Sequence, residues 1–541
     1  MNDLARLTDF MCRVPAGGNV AVLATPETLA LLPDANAANH AQLAAFAGAF
    51  AAFPPFQRRW RWNAMLQCQL TALLARIAAH EPEAGCVYLF LEGAFSKRYF
   101  PAPAPRPTPR PTAAARRDCR AGTADLEGAL RAFGNASAQG LVLQAGAGAE
   151  SGHCYQPATG LIGIGRGATD VQRMRGAVLE WCERWAASMI PAAARYASWN
   201  ELGAAAWRPE QVADVSPREA AKLFPGFDAE RSMYWLPCRL VHARTERLLP
   251  LQMINYLVQP DQVFCHTQNS NGCALGSTPN EAALFGALEL IERDALLLAW
   301  YSRSAPPRFV NASIDSAPLR ELHCLLQLAG YDVCCFDITT EFAIPAVLVL
   351  LLGRGTGQLA AFVTAACHPD PQEAMAAALG EAHSLVGVTA QNLARQRRQQ
   401  GDGSLEHLRD SAQAQFYGQH SQRHHFDFLI NAPATLAWRD FVAAHASSAG
   451  TALRGPGAAW ELVCTRAAAA GCELVVADVT PPALPALGLY AARVFMPGTL
   501  PLTFGERPIC LPPTRLARAA RRCPWVNAAA DLSQPLLHPL G

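Results

Sequence analysis

The sequence predicts an α/β protein with two parts, a small N-terminal α/β domain and a large α/β domain that contains an internal pseudo-repeat. Its 541 residues exceed the length at which a single hydrophobic core keeps growing, so more than one domain is expected. Hydrophobic residues make up 51% and charged residues 16%, a balance that is typical of packed globular proteins. A proline-rich run at residues 101–111 separates the two parts.

The first part comprises residues 1–100. Strand-like apolar runs at residues 20–23 and 87–91 lie on either side of an amphipathic segment at residues 62–79, and this alternation indicates a small α/β domain. The segment that follows, residues 101–118, begins with alternating prolines, which favour extended polyproline. We therefore interpret it as a semi-rigid linker.

Residues 119–541 are predicted to form the large α/β domain. The apolar run at residues 344–353 is too short to cross a membrane and indicates a buried strand. A polar stretch at residues 396–423, rich in Gln, Arg and His, is predicted to be a surface insertion. The histidines in and beside it lack partner ligands in the sequence and are expected at the surface: His420, His424 and His425.

Charge and cysteine content exclude several classes of protein. Lys plus Arg (45) nearly cancels Asp plus Glu (44), so the composition gives no reason to expect binding to nucleic acid or to an anionic membrane. Asp3 and Asp9 interrupt any signal-peptide pattern, and the 17 cysteines form no Cys-x-x-Cys pair for zinc or an iron–sulfur cluster. Together these features predict a cytoplasmic protein without a membrane span.

Two segments of the large domain, residues 176–184 and 286–293, end in Glu-x-x-Glu-Arg on an apolar background. Residues three apart on a helix share a face, so each segment places two carboxylates together on an apolar helix. Such pairs are costly through desolvation and repulsion, and a hard divalent cation shared with phosphate would offset that cost. The alternative interpretation is structural, because Glu-x-x-Glu-Arg is also common on solvated helix faces.

Two further segments begin helices and are related to one another. Thr278-Pro279-Asn280-Glu281 and residues 370–373 each supply an N-cap residue, a proline at the first helical position and an acceptor at the third. Capping alone accounts for Glu373, whereas Glu281 is expected to cap its helix and also to face the site.

Glycine-containing segments precede both glutamate helices. Residues 263–266 are predicted to form a strand, and residues 269–277 a loop that opens the second helix and presents backbone N–H groups to an anion. This segment lacks the Gly-Lys-Ser/Thr of a phosphate loop. Gly163-Ile-Gly165-Arg166-Gly167, ahead of the first helix, is a weak nucleotide motif on its own because its spacing differs from the dinucleotide fingerprint.

The block at residues 269–295 reads Asn-Ser-Asn-Gly-Cys-Ala-Leu-Gly-Ser-Thr-Pro-Asn-Glu and ends in Glu-Leu-Ile-Glu-Arg-Asp-Ala. It closely resembles the signature of the YcaO family, whose members use ATP to activate peptide amides. Residues 165–184 resemble the first helix of that family, and residues 368–381 resemble its third. The similarity covers roughly residues 120–541, with shorter echoes at residues 336–345 and 478–498.

The resemblance implies an ATP and Mg²⁺ site. It makes four residues the expected magnesium ligands: Glu180, Glu183, Glu289 and Glu292. It implies that ATP contacts the same four residues and seven others: Arg166, Asn271, Gly272, Ser277, Glu281, Arg293 and Glu381. The family phosphorylates a backbone amide oxygen after a nucleophile has attacked the carbonyl carbon. When that nucleophile is a Cys, Ser or Thr side chain, the product is a thiazoline or oxazoline.

By this resemblance the chain is a cyclodehydratase component that modifies a ribosomally synthesised precursor peptide. The expected partner is an E1-like protein that binds the leader peptide, and a flavin-dependent dehydrogenase is a further candidate. Residues 1–100 would dock the partner or the precursor. Two alternatives stay open: formation of a thioamide or amidine by the same chemistry, and a non-catalytic docking scaffold of the same fold.

The sequence also departs from the family pattern at identifiable positions. Arg166 stands where many members have Lys, and Ser277 where an Asn often follows the glycine. His383 and Ser384 follow Glu381 where a Gln is usual. Residues 535–541 match the Pro-x-Pro-x-Pro ending of the peptide-cyclising branch only in part. The departures at His383 and Ser384 and in the C-terminal tail are the features that favour the scaffold alternative.

Overall fold

The structure of the protein is a computed structural model. It describes strands in the region before residue 167, and it describes residues 170–540 apart from 215–216, 257–268, 401–412, 453, 483, 505–508, 510, 513 and 533–534. The amphipathic segment at residues 62–79, the linker at residues 101–118 and the strand predicted at residues 263–266 lie outside the described residues.

Two antiparallel sheets precede the large domain's main sheets. The first has the order β1-β2-β3-β4-β5, with strands β1 (Phe10–Arg13), β2 (Asn19–Ala24), β3 (Leu29–Pro33), β4 (Cys86–Leu91) and β5 (Ala94–Tyr99). The strands predicted at residues 20–23 and 87–91 are therefore confirmed. The second sheet has the order β6-β7-β8, with strands β6 (Val142–Ala145), β7 (Ser151–Gln156) and β8 (Leu161–Arg166).

Two larger sheets form the rest of the framework. One has the order β11-β10-β18-β19-β12, with β9 also paired to β10, and is built from β9 (Arg195–Ala197), β10 (Met233–Leu240), β11 (Thr245–Pro250), β12 (Cys273–Gly276), β18 (Val475–Asp478) and β19 (Tyr490–Phe495). The other has the order β16-β15-β14-β13-β17, built from β13 (Arg308–Phe309), β14 (Tyr331–Asp337), β15 (Ala346–Gly353), β16 (Ala361–Cys367) and β17 (Ala434–Leu436).

The described α-helices connect and cover these sheets. They are α1 (Asp170–Ala187), α2 (Trp199–Leu202), α3 (Pro209–Ala213), α4 (Pro217–Leu223), α5 (Leu251–Ile254), α6 (Pro279–Ser302), α7 (Ala317–Leu328), α8 (Pro371–Gln400), α9 (Gln413–Tyr417), α10 (Asp427–Ile430), α11 (Trp438–Ala444), α12 (Ala446–Ala452), α13 (Pro456–Ala469) and α14 (Arg515–Ala520). Short 3₁₀ turns lie at Gly203–Ala205, Asn311–Ser313, His420–Phe426 and Pro485–Leu487. Within the described chain, no helix has the length and apolar character that crossing a bilayer requires.

Helix α6 is central to the large domain. It contacts β12 and β19 of one sheet and β15 and β16 of the other, so it lies between the two. Most of its side chains from Ala282 to Ser302 are buried, as expected for a helix that is apolar nearly all round. Helix α1 packs on β8 and also reaches β12 and β19, while α8 packs on β15 and β16. The three helices that carry the predicted site residues are thus layered on the same framework.

Several local predictions are confirmed. Helix α6 begins after Thr278, whose hydroxyl accepts a hydrogen bond from the Glu281 backbone, with Pro279 at the first position. Helix α8 begins at Pro371, where the Asp370 side chain accepts from the backbone N–H of Gln372 at 2.8 Å. The buried strand predicted at residues 344–353 is β15, every residue of which is buried except the last.

Two predictions require correction. The segment at residues 269–277 is not a simple loop, because its apolar residues pair antiparallel with β19 and form strand β12. The stretch at residues 396–423 is not simply a surface insertion either. Its first residues belong to α8, and Gln413 and Tyr417 are buried, because α9 packs against α8 and β16. The histidines within and beside it behave as predicted: His420 and His424 are exposed and His425 is half-buried.

A buried ionic network holds the middle of α6 in place. The guanidinium of Arg515, on α14, lies between the carboxylates of Asp294 and Glu341, and all three side chains are at most 2% exposed. Asp294 also accepts a hydrogen bond from the backbone N–H of Leu500 at 2.8 Å. Arg518 adds a second cation 3.7 Å from Glu341, so two carboxylates face two guanidinium groups.

We expect Arg515→Met to lower the free energy of unfolding by about 3–5 kcal/mol, because it leaves the buried Asp294 without a cation and Glu341 with only the more distant Arg518. The matched control is Arg354→Met. Arg354 pairs with Asp332 in a bridge whose side chains are 46% and 60% exposed, and its loss should cost less than about 1 kcal/mol. Urea denaturation of both variants measures the difference, and equal losses would contradict the role given to the buried network.

The close packing of α1 on β8 depends on two glycines. A Cβ atom at Gly163 would lie 2.0 Å from the carbonyl oxygen of Ala177, and one at Gly165 would lie 1.7 Å from that of Arg173. Because these two glycines have no side chain, the backbone of α1 can lie directly against β8. Close packing therefore explains the Gly163-Ile-Gly165 motif, which is weak evidence for nucleotide binding.

Gly163→Ala should destabilise the protein by about 1–3 kcal/mol through overpacking. Gly387, exposed in the interior of α8 with nothing within 4 Å of its added Cβ, provides the control. Gly387→Ala should stabilise the protein by about 0.5–1 kcal/mol, since alanine is the better helix former. Thermal and chemical denaturation of both variants tests the opposite signs; two effects of the same sign would contradict the packing argument.

Candidate functional site

The first glutamate of α1 is anchored to the neighbouring strand. A carboxylate oxygen of Glu180 accepts a hydrogen bond from the backbone N–H of Ile164 at 2.7 Å. Its other oxygen lies 2.7 Å from Arg184, one turn further along the helix. Arg184 in turn donates to the carbonyl oxygen of Ile162 at 2.6 Å. The Glu180–Arg184 pair therefore joins α1 to β8, and its carboxylate stays 30% exposed.

Helix α6 repeats this arrangement. Glu289 accepts a hydrogen bond from the backbone N–H of Gly272 at 2.8 Å and lies 3.8 Å from Arg293. Arg293 also lies 3.4 Å from Glu292. In both repeats, the first glutamate binds a backbone amide of the segment ahead of its helix and pairs with the arginine four residues later. The internal repeat predicted from the sequence is thus also a repeat of contacts.

The segment that carries Gly272 has a constrained backbone. Gly272 has φ of +83°, a value that L side chains rarely adopt, and a Cβ there would lie 2.5 Å from the carbonyl oxygen of Val494. The side chain of Asn269 accepts from the backbone N–H of Asn271 at 3.0 Å, which closes the turn. Asn271 is only 8% exposed, and its amide oxygen has no hydrogen-bond partner among the described residues.

The carboxylates of the two repeats come close enough to repel one another. Burial raises the pKa of Glu183 well above its usual value, and the negative charges of Glu289 and Glu180 raise it further. Burial also raises the pKa of Glu289, against the opposing effect of Arg293. The tertiary structure therefore brings Glu183 of α1 and Glu289 of α6 into one site, although they lie more than 100 positions apart in sequence.

Arg493 is a buried cation beside these glutamates that the predicted set omitted. It lies on β19, is 4% exposed, and donates to the carbonyl oxygen of Asn269 at 2.7 Å. Its positive charge lowers the pKa values of Glu183 and Glu289, so Arg493 lies close to a glutamate of each repeat. A signal for it exists in the sequence, since a lone arginine in an apolar strand has to be paired if that strand is buried.

Helix α8 is a third helix that brings a carboxylate, that of Glu381, close to these residues. The charge of Glu381 raises the pKa values of both Glu289 and Glu292, which places it beside α6. Glu292 accepts a hydrogen bond from the backbone N–H of Cys367, yet burial still raises its pKa to about 8. By contrast Glu373 is exposed, in agreement with a capping role alone. Ser384, one of the departures from the family pattern, donates to the carbonyl oxygen of Gly380 at 2.8 Å within its own helix.

Glu281 and Ser277 are engaged with one another at the start of α6. Glu281 is 7% exposed and accepts hydrogen bonds from both the backbone N–H and the hydroxyl of Ser277. The Glu281 carboxylate thus binds the residue before the N-cap Thr278 and not the N-cap backbone itself, while contact of Glu281 or Ser277 with ATP stays a prediction. Arg166 is the last residue of β8 and is paired with Ser151, which places its backbone next to α1.

Comparison with known proteins identifies the family. A family model described as YcaO cyclodehydratase, ATP- and Mg²⁺-binding, matches residues 164–500, which is more than half of the chain. The chain belongs to the YcaO family. The family predicted from the block at residues 269–295 is thus confirmed, as are ATP and Mg²⁺ as the cofactors of that family.

Individual relatives are more distant. An uncharacterized protein in the tfuA 3′ region of Rhizobium leguminosarum bv. trifolii is 27% identical over 232 residues, which cover 40% of this chain and 53% of that protein. An uncharacterized protein of Methanothermobacter thermautotrophicus is 26% identical over 238 residues, covering 41% and 56%. The chain thus matches about half the length of these curated relatives.

A solved structure shares the fold. A heterocyclase in complex with substrate and cofactor superposes with a TM-score of 0.57 at 17% identity, covering 99% of this chain and 78% of that chain. At this identity the likeness concerns the fold alone. It confirms the predicted class, an α/β protein of YcaO type.

The donor set of this YcaO chain fits a magnesium ion shared with a ligand. Among the described residues, no three Asp, Glu, His or Cys side chains converge closely enough to cage an ion by themselves. Mg²⁺ is usually held by one or two carboxylates together with phosphate oxygens and water, so a complete protein cage is not required. The side chains of Glu180, Glu289 and Glu292 are 14–30% exposed and offer such a partial set of metal ligands.

The cationic side of the site fits an anionic ligand. Three arginines stand among the carboxylates, and the buried Nε–H group of each has no hydrogen-bond partner among the described residues: Arg184, Arg293 and Arg493. Buried N–H donors without acceptors are rare in proteins unless a ligand or water supplies the acceptor. Phosphate oxygens are the acceptors that guanidinium groups bind best. The residues present therefore fit a nucleotide phosphate as well as a metal ion.

The ion-free protein should lose thermal stability between pH 6 and pH 8.5. The raised pKa of Glu292, about 8, means that the folded state binds its proton more strongly than the unfolded state does. That contribution is complete below the unfolded pKa and is lost as the pH rises through about 8. Melting temperatures measured in EDTA across this range test the slope. Glu292→Gln should flatten it, and an unchanged slope in that variant would contradict the assignment.

Proposed function

We propose that this chain uses ATP to activate backbone amides of a ribosomally synthesised peptide, converting Cys, Ser or Thr residues to thiazolines or oxazolines. The observation that carries the proposal is the meeting of two repeated Glu-x-x-Glu-Arg helices around the buried Arg493, in a chain of the YcaO family. Such a cluster of buried like charges is costly without a cation and an anion to bind. Membership of an ATP- and Mg²⁺-binding family supplies both.

The metal-binding role falls on the two repeats. Glu180, Glu183, Glu289 and Glu292 would hold Mg²⁺, a proposal supported by the repulsion that Glu183 of α1 experiences from Glu289 of α6 and from Glu180 of its own helix. Glu180 and Glu289 are each oriented by a backbone N–H group, which fixes one oxygen and leaves the other beside its arginine. Mg²⁺ bound there would disperse the charge that develops on the transferring phosphoryl group.

The nucleotide role falls on the cations and on the segment ahead of α6. Arg293 and Arg493 would neutralise phosphate charge, and Asn271 and Gly272 would contact the nucleotide from the segment ahead of α6, where the amide oxygen of Asn271 has no partner among the described residues. Ser277, Glu281, Glu381 and Arg166 would complete the nucleotide contacts, as the family resemblance implies. Held in this way, the phosphoryl group can be placed against the amide oxygen, which leaves the tetrahedral carbon more readily as phosphate.

The proposed reaction also requires a peptide substrate and partner proteins. A precursor peptide is the proposed substrate, with an E1-like protein to bind its leader and a flavin-dependent dehydrogenase as a further candidate. The structural relative solved with substrate and cofactor is a heterocyclase, and this supports a ring-forming reaction. The five-stranded sheet β1–β5 is the part of the chain that we propose for docking. A cytoplasmic location is part of the same proposal.

The test of the site compares two glutamine substitutions. Glu289→Gln removes one of the central carboxylates while keeping its size, and should reduce ATP-dependent phosphate release by about 100-fold or more, as is usual for loss of a group that stabilises the transition state. Glu373→Gln, at an exposed cap of α8, is the matched control and should leave release unchanged. Phosphate is measured with a Cys/Ser/Thr-rich precursor and its partner protein present. Equal release from both variants would show that the site is elsewhere.

Peptide mass then separates the alternative reactions. Loss of ~18 Da per modified residue supports cyclodehydration, and a gain of ~16 Da supports exchange of oxygen for sulfur on the activated amide. A wild-type complex that modifies its peptide without any ATP turnover by this chain would favour the docking-scaffold alternative. In that case, Glu289→Gln would not alter the yield of modified peptide.

A further inference from the structure

The last described residues of the chain, 535–540, form a tail that is tied into the core beside α6. Trp300 donates its indole N–H to the carbonyl oxygen of Leu536 at 3.1 Å. The hydroxyl of Tyr417 donates to the carbonyl oxygen of Leu537 at 2.5 Å. Leu540 is buried and belongs to the same hydrophobic cluster as α6. The backbone on both sides of His538 is therefore held by residues of the large domain.

His538 itself is fully buried, and its contacts define which ring nitrogen carries a proton. The backbone N–H of Thr503 donates to its Nε2 atom at 3.3 Å, so Nε2 acts as the acceptor. In a neutral imidazole the proton then resides on Nδ1. Burial, and next the positive charge of Arg293, lower the pKa of His538 to about 3, which keeps the ring neutral near pH 7.

The Nδ1–H group is a buried donor with no acceptor among the described residues. Phe504 packs edge-on against the ring at 5.3 Å between centroids and offers no lone pair. The charged group that acts on the ring is Arg293, which is also a donor and which pairs with Glu289 and Glu292 of the proposed site. Hydrogen bonds also place the ring beside the segment ahead of α6, because the carbonyl oxygen of Leu502, the residue before Thr503, accepts from the side chain of Asn269 at 3.3 Å. A buried donor there, together with the Nε–H of Arg293 that also lacks an acceptor among the described residues, suits an anion that accepts from both.

We propose that the Nδ1–H group of His538 donates a hydrogen bond to a phosphate oxygen of the nucleotide bound at the Glu–Arg site. The inference rests on the proposed function, and it assigns His538 to the nucleotide-binding site as a phosphate-binding residue. It also gives a reason for a histidine at this position, because a neutral donor adds a contact to phosphate without adding repulsion against Arg293.

Two substitutions separate the donor from the structural role of the ring. His538→Gln can keep an acceptor for the Thr503 N–H but has no donor at the Nδ1 position. His538→Asn can place its amide N–H near the Nδ1 position but loses the acceptor that Thr503 uses. If the ring is only structural, His538→Asn should lower the melting temperature and the nucleotide affinity more than His538→Gln does. If Nδ1–H binds phosphate, His538→Gln should lower the nucleotide affinity more.

The measurement is calorimetric binding of the non-hydrolysable analogue AMPPCP with Mg²⁺ to the full chain, with melting temperatures recorded for each variant. We expect His538→Gln to bind about tenfold or more weakly at a melting temperature close to that of the wild type, since a hydrogen bond to a charged group is lost. His538→Asn should bind within about threefold of the wild type even if it melts earlier. The KM for ATP should rise in the Gln variant more than kcat falls.

The inference would be overturned if the affinity for Mg²⁺–AMPPCP fell in proportion to the melting temperature in both variants. It would also be overturned if His538→Gln bound the analogue as tightly as the wild type does. Either result would leave the proposed function intact. Failure of the wild-type chain to bind Mg²⁺–AMPPCP would overturn the proposed function, and the role of His538 with it. The two failures are therefore distinguishable within one set of titrations.

Discussion

The structure depends on one electrostatic constraint, the gathering of buried carboxylates from separate helices around a small number of guanidinium groups. The charge of Glu289 raises the pKa of Glu183, and the buried Arg493 on β19 lowers the pKa values of both glutamates. Such a cluster is unfavourable by itself, because each charge loses its hydration and the like charges repel. The fold supports it with backbone N–H groups and with one arginine per repeat. The charge that remains unbalanced is the physical basis for binding Mg²⁺ together with an anionic ligand.

The surrounding architecture holds this cluster at a defined geometry. Glycines of β8 allow α1 to lie directly on its strand, so that Glu180 reaches the amide of Ile164. Gly272 does the equivalent for α6 through a positive φ and contact with Val494. The Asp294–Arg515–Glu341 network then ties the middle of α6 to α14, directly after the residues of the second repeat. Rigidity around the site thus comes from close backbone packing and buried ion pairs on elements distant in sequence.

Much of the local structure could be predicted because its causes are local. The starts of α6 and α8 follow from an N-cap residue and a proline at fixed spacing. The strand at β15 follows from an apolar run. The segment before α6 was predicted as a loop because its pairing partner, β19, lies more than 200 residues later. The polar composition of residues 396–423 predicts exposure. Composition does not indicate which few side chains, such as Tyr417, pack inward.

The sequence by itself determined which residues carry the chemistry: the paired glutamates, their arginines and the block at residues 269–295, since spacing along a helix decides which side chains share a face. It also determined the family, which motif order alone was enough to indicate. Only the tertiary structure decided that the two repeats meet, that Arg493 acts on glutamates of both, and that His538 is buried where the charge of Arg293 lowers its pKa. These contacts join residues tens to hundreds of positions apart. Long-range contacts of this kind depend on sheet pairing and core packing, and no local pattern in a single sequence records them.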